Sequence, residues 1–239
     1  MGISPKKPGQ VVIGLDLSTK PGYAILADGE RLASGTSRPP SPLSSMKGEY
    51  PFTYVGFTQS VVENLLYKVM THIQFSKLQN SDVDVIVIEE TTASSQNYSQ
   101  KILEFIHYEF LKTVTAIFPE AKVVYIRDLV WKKANDAHMN AEEKKNNLKL
   151  SRLKKKKAEE NPNLKKIIVK KDTDGTPIKK VSRQDAYVRK ANEIFGLDLK
   201  LENEDEAAAL LLARAYITGV PHCNGRLDGG VYVKKPDGI

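Results

Sequence analysis

The sequence predicts an α/β protein built on a mixed five-stranded sheet, and three observations predict it. Short apolar runs near 10–17, 21–28 and 30–38 follow one another with tight connections, as in an antiparallel meander. Two long segments, 56–79 and 97–118, then carry apolar residues at helical spacing. Compact apolar runs at 83–89 and 122–126 alternate with them and read as buried strands. The order is therefore β-β-β-α-β-α-β with further helix beyond, and alternating helix and strand places helices on both sheet faces.

Each element follows from its residues. Val11-Val12-Ile13-Gly14-Leu15-Asp16 is an apolar strand ending in a carboxylate, and Pro21-Gly22 turns the chain into a second run through Tyr23, Ala24, Ile25 and Leu26. The stretch 39–51, with Pro39, Pro40, Pro42, Gly48 and Pro51, excludes regular structure. Phe57, Val61, Val62, Leu65, Leu66, Val69 and Ile73 give the first helix its buried stripe. Ile102, Phe105, Ile106, Phe110, Leu111 and Val114 do the same for the second, which Pro119 ends. Residues 127–138, 184–195 and 203–218 read as later helices, so 10–219 forms one domain. The final segment, 220–239, contains Pro221, Gly225, Gly229, Gly230, Pro236 and Gly238 and is expected to be an irregular tail.

The net charge of +7 is unevenly placed. Residues 139–183 hold fifteen Lys or Arg against six Asp or Glu, a local +9 that leaves −2 for the rest. One basic insert, 139–182, on an acidic body points to a polyanion met by a defined surface, nucleic acid above all. The plainer alternative is a solvated helix face around Arg152 and Lys154 to Lys157. Within the insert, Lys165 to Lys171 and Pro177 to Val181 flank Asp172-Thr173-Asp174-Gly175 and read as a basic β-hairpin. No run approaches the ~18 apolar residues of a membrane span, and Lys6, Lys7 and Pro8 do not read as a secretory leader. The single cysteine, Cys223, fits a reducing compartment, so an intracellular, cytoplasmic protein is expected, of bacterial or phage origin among others.

Three acidic spots stand out from this frame. Asp16 ends the first strand, Glu89 closes Val85-Ile86-Val87-Ile88-Glu89, and Glu202, Asp205 and Glu206 open the apolar helix that runs from Ala207 to Ala213. Oxygen donors on separate elements are what a hard divalent cation requires. Each acid also has a structural reading: a turn former at Asp16, a solvated strand end at Glu89, and a helix N-terminal charge at Asp205.

With that order of elements, the chain resembles the ribonuclease H-like nuclease fold, and more closely the RuvC family of Holliday junction resolvases. The resemblance rests on Ile13-Gly14-Leu15-Asp16 with Gly22-Tyr23-Ala24, on Val87-Ile88-Glu89-Glu90, on Asn97-Tyr98-Ser99 with Leu103, on Val130-Trp131-Lys132-Lys133, and on the acidic start of the last helix. It implies a homodimeric, Mg²⁺- or Mn²⁺-dependent endonuclease that cuts branched DNA (a four-way junction, fork or flap) by paired phosphodiester hydrolysis, acting in DNA recombination and repair. By position, Asp16, Glu89 and Asp205 would hold two ions. Such ions, about 4 Å apart, activate a water and stabilise the leaving oxygen.

The final motif departs from the family pattern of two acids three apart followed by small apolar residues. Pairing Glu202 with Asp205 keeps both acids but sets Glu206 where a small residue belongs, whereas pairing Asp205 with Ala208 fits the apolar run and loses an acid. In the second register the chain binds DNA without cutting, or is an engineered inactive form. For substrate contact, Ser94, Asn97, Tyr98, Lys101, Lys132, Lys133 and Arg183 are candidate nucleic-acid ligands, Tyr98 through stacking. His107, set among Phe105 and Phe110, reads as structural. Gly14-Leu15-Asp16-Leu17-Ser18-Thr19 also looks like the phosphate-binding start of actin-like sugar kinases, but no later Gly-rich adenosine-binding segment accompanies it.

Overall fold

The computed structural model describes residues 9–39, 41, 51–90, 97–160, 169, 171, 175, 177–178, 180–228 and 231–236. Strands β1 (Val11–Asp16), β2 (Gly22–Ala27) and β3 (Glu30–Thr36) form the expected meander, joined after β2 by Asp28 (φ 52°) and Gly29 (φ 83°). Two successive residues with positive φ make the type I′ turn that matches strand twist. Strands β4 (Val85–Glu90) and β5 (Lys122–Arg127) add in parallel, giving the spatial order β3-β2-β1-β4-β5. This is the mixed five-stranded sheet that the apolar runs predict.

Two strands extend it. Residues 220–239 were expected to be irregular, but β6 (Cys223–Asp228) pairs antiparallel with β5 and β7 (Val231–Pro236) pairs with β6. Glycine and proline density misleads there because pairing with β5 and with each other makes these segments strands: β6 carries Gly225, and Pro236 falls at the end of the edge strand β7, where a missing N–H costs least.

Helices α1 (Phe52–Phe75) and α2 (Asn97–Ile117) pack on each other and on one sheet face, burying Ile13, Leu15, Ile86 and Ile88 beneath Leu65, Val69, Ile106 and Phe110. The first of them starts and stops earlier than the periodicity predicts. Pro51 sets its N-terminus, and Lys77, at φ 59°, turns the chain left-handed so that the amides of Lys77 and Leu78 reach the carbonyls of Gln74 and Ile73. On the opposite face lie α3 (Asp128–Ala134), α5 (Arg183–Phe195) and α6 (Glu204–Ile217), which bury Val12, Ala24, Val85, Val87, Val124 and Trp131. Helix α4 (Ala141–Glu160) belongs to the basic insert. The expected hairpin is represented by one antiparallel bridge, Lys171 to Pro177, with Gly175 at φ 81° between them; residues 161–168 and 172–174 lie outside the described residues. Among the described residues no helix is long and apolar enough to cross a membrane.

What positions everything else is the closeness of α6 to the sheet. A Cβ at Gly14 would lie 2.1 Å from the Ala209 carbonyl oxygen and 2.9 Å from the Ala213 Cβ, and one at Gly22 would lie 1.8 Å from the Asp205 carbonyl oxygen. Bare backbone on the strands and alanines on the helix let the two surfaces meet at main-chain distance. Gly14→Ala is therefore expected to lower the unfolding free energy by about 1–3 kcal/mol or more through overpacking against helix backbone. Urea titration measures this, and an unchanged midpoint and slope would refute the close approach.

Candidate active site

Sheet register brings the first two acids together. Leu15 pairs with Ile88 across parallel strands, so Asp16 and Glu89, one residue further along, end neighbouring strands at the same level. Side chains alternate along a strand, and Val12, Val85 and Val87 face α6, so Asp16 and Glu89 project to the α6 side as well. Antiparallel pairing sets Gly22 opposite Asp16. The first turn of α6 rests on that glycine, and this contact delivers Asp205 to the end of β1.

The electrostatics show that the acids share one environment. Burial, then repulsion from Glu89 and Asp205 with a smaller contribution from Glu204, holds the Asp16 carboxyl well above the usual carboxylate range, against the opposing pull of Lys132. Burial and the neighbouring Asp128 push Glu89 up to about 7, opposed by Lys132 and by the Trp131 indole N–H, which donates to Glu89 Oε2 at 3.0 Å. Asp205 is raised by burial and by Glu204, while Lys20 pulls it back. The positive end of the α6 dipole favours the three acids of its first turn.

Two lysines and two aromatic rings frame the cluster. Lys20 Nζ lies 3.8 Å from Asp205 Oδ2 and donates to the Glu202 backbone carbonyl at 2.8 Å. Lys132 pairs with Asp128 four residues earlier on α3, with Nζ 4.8 Å from the Trp131 ring centre and 5.2 Å from that of Tyr187. Tyr187 on α5 packs edge-on against Trp131 and donates its hydroxyl to Glu204 Oε2 at 3.3 Å. Burial, Glu204 and Asp16 push that phenol's pKa up, so Tyr187 stays a proton donor.

The donor chemistry fits a hard divalent cation: the facing groups are carboxylates whose mutual repulsion a cation would relieve. As placed they form an open arrangement, since among the described residues no three Asp, Glu, His or Cys side chains are close enough to enclose one ion.

The residues singled out from sequence are distributed as follows. Asp16 lies within electrostatic reach of both Glu89 and Asp205, while Glu202 sits exposed on a single 3-10 turn (Leu201–Asn203) and contributes its carbonyl to Lys20. Ala208 is 2 % exposed and packed into the apolar layer, so position 208 faces the core. Lys132 points into the acids rather than outward, whereas Lys101, Lys133 and Arg183 are exposed. Ser94 lies outside the described residues, and Asn97 and Tyr98 open α2 with side chains outside them. Glu204, Asp128 and Tyr187 were missed. The Asp128–Lys132 spacing of four on a helix is a readable signal, whereas Glu204 was hidden among adjacent acids and Tyr187 joins the site only through packing. His107 is buried against Tyr125, its rings 6.0 Å apart, and desolvation lowers its pKa to about 4, in keeping with a core role.

These shifts set a pH dependence. A carboxyl whose pKa is higher in the folded than in the unfolded chain favours folding at acid pH, and that stability is lost as pH rises from 4.5 toward 7 for Glu89. His107, lowered from 6.5, has the opposite slope, losing stability as pH falls below 6.5. Comparing wild type with Glu89→Gln cancels the histidine. Wild-type stability relative to the variant is expected to fall by on the order of 2–3 kcal/mol across that interval without divalent ions, measured by urea unfolding at stepped pH; a constant difference would contradict the crowding.

No protein-family model matches the chain, and no curated protein matches it. Solved structures similar in fold include Thermus thermophilus RuvC in complex with Holliday junction substrate, at 14 % identity, TM-score 0.47, covering 95 % of this chain and 99 % of that one. Thermus thermophilus RuvC alone is similar at 15 % identity and TM-score 0.47, with 87 % and 93 % covered. The yeast mitochondrial Holliday junction resolvase Ydc2 is similar at 12 % identity and TM-score 0.44, with 90 % and 80 % covered.

Proposed function

We propose that this protein is a divalent-metal-dependent endonuclease that cuts branched DNA, with four-way junctions as the substrate class. The observation that supports it is the meeting of Asp16, Glu89 and Asp205, from three separate elements, in one electrostatically strained cluster at the ends of two parallel strands. Strand ends of this kind are where open α/β sheets bind ligands. Asp16, Glu89 and Asp205, with Glu204 beside them, would hold Mg²⁺ or Mn²⁺. The ions supply water activation and charge stabilisation at phosphorus.

The remaining residues have roles of their own. Trp131 orients one Glu89 oxygen through its N–H, leaving the other for a ligand. Lys132 offsets part of the acid charge from beneath the cluster, held between Asp128 and two aromatic faces. Lys20 fixes Asp205 relative to the loop after β1. Tyr187 does the same for Glu204. Exposed Lys133, Lys101 and Arg183, with the segment opening α2, would face the phosphates. A symmetric branched substrate asks for two such sites, hence a homodimer.

A second reading, binding of junctions without cleavage, is favoured by the open spacing of the acids and by the buried alanine at 208. One assay separates the two. Synthetic four-way junctions with Mg²⁺ or Mn²⁺ are expected to receive paired symmetric nicks, and linear duplex few. Asp16→Asn is expected to reduce cleavage by on the order of a hundredfold or more while retaining junction binding. Binding with no cleavage by wild type in either metal would establish the second reading. Mn²⁺ added at neutral pH is also expected to raise the melting temperature of wild type, and to raise that of Asp16→Asn less, since ions that bind only the folded chain stabilise it.

A further inference from the structure

Helix α4 has no place in the acid site, yet its attachment is specific. Asn140 and Glu143 cap it reciprocally, each backbone amide donating to the other's side-chain oxygen at 2.9 and 2.8 Å. Glu143 pairs with Arg189 of α5. Asn147 bonds both ways with the Val181 backbone, accepting from its amide at 3.0 Å and donating to its carbonyl at 2.7 Å. Leu150 is 4 % exposed and completes the anchored stripe 143-147-150.

The stripe then ends. Lys154, next in the same helical row, is exposed, and over residues 151–160 only Leu153 and Ala158 are half-buried, so the later half of the helix is mostly exposed. About 15 Å of helix remains, and a ten-residue helix alone is marginal in water. On the outward face Lys145, Arg152, Lys155 and Lys156 fall at spacings of seven, three and one, all exposed, within an arc of about 100° along about 16 Å of helix. Arg152, Lys154 and Lys155 have no acidic partner among the described residues, and Lys156 reaches Glu160 only at 4.0 Å. Beside the anchored half, a cleft of about 600 Å³ is lined by Asp136, His138, Lys144, Arg189, Lys190 and Glu193. Its Arg189 and Lys190 are already neutralised, by Glu143 and by Glu193. Uncompensated positive charge is thus concentrated on the outer row and projecting end of α4.

We propose that α4 is a phosphate-binding arm that lies along the backbone of a duplex DNA arm, apart from the acid cluster. The proposal rests on the reading of the protein as a DNA-binding enzyme. Like charges packed along a projecting helix repel one another, and a polyanion of regular spacing removes that repulsion while releasing counterions. The capped and doubly tethered N-terminal half fixes the direction in which the row is presented, so the contact selects the course of a duplex rather than its sequence.

The test is the salt dependence of binding, read by fluorescence anisotropy without divalent ions on four-way junctions with long and with truncated arms. Lys145→Gln, Arg152→Gln, Lys155→Gln and Lys156→Gln are combined in one variant; all four sites are exposed and glutamine keeps helix propensity. For long arms the slope of log K against log salt is expected to flatten by about 2–4, roughly 0.9 per lost phosphate contact. Truncated arms should show little difference from wild type. A second variant with the three lysines changed to arginine should keep the wild-type slope. Unchanged slope and affinity on long arms, or equal loss on both substrates, overturns the arm. Because no cleavage is measured, a protein that binds but never cuts still decides this question, and a cutting enzyme with an unchanged slope keeps its activity while losing the arm.

Discussion

The site depends on the contact between the first turns of α6 and the glycine-bearing ends of β1 and β2. Acids on separate elements meet only where those elements touch, and side chains of ordinary size would hold a helix about 10 Å from a sheet. Gly14 and Gly22 remove that separation at two points, and Ala209 and Ala213 remove it from the other side. The same contact buries the apolar layer from Ala207 to Ala215. Stability and the arrangement of the acids are therefore coupled here, because the packing that anchors α6 also brings Asp205 toward Asp16.

Crowding carboxylates at a partly buried sheet end is costly, and the structure offsets that cost locally. Burial and mutual repulsion push the protons of Asp16, Glu89 and Asp205 toward the bound form. Lys20 and Lys132, the Trp131 indole and the α6 dipole act in the opposite direction. The balance leaves a cluster whose carboxylates repel one another and are only partly compensated by their cationic neighbours. The aromatic pair of Trp131 and Tyr187 does two jobs in it: it excludes water from one side, and it aims two hydrogen bonds at the acids.

The basic insert obeys different physics. The acid cluster acts over a few ångströms through short contacts in a low-dielectric setting, whereas α4 works through solvent, where charge is screened within about 10 Å at ordinary salt. Tethering α4 through Glu143, Asn147 and Leu150 while leaving its later half mostly exposed keeps the basic surface separate from the acid cluster. Geometry at the acids can stay fixed while the exposed cations of α4 lie on a separate part of the surface.

Much of this was legible in the linear chain. Continuous apolar runs located the buried strands and α6, and helical spacing located α1 and α2, because strands buried on both sheet faces read as unbroken apolar runs and a helix packed on one face reads as a stripe. Asp16 and Glu89 were visible as charges ending apolar runs, and Asp205 as one of the acids opening another. Other features depended on contacts between distant residues. Strands β6 and β7 carry glycine and proline, and pairing with β5 makes them strands. Glu204 differs from Glu206 in which way α6 turns it and from Glu202 in lying on α6 rather than on the turn before it, and Tyr187 enters the site because α5 packs beside α3. Lys132 reads as a surface cation in sequence, and its inward course follows from Asp128 one turn back together with two ring faces. Local pattern determined which segments become elements and where charge interrupts them. Only the tertiary structure decided which charges face one another, because that depends on register, helix rotation and the distance to which glycine lets two backbones approach.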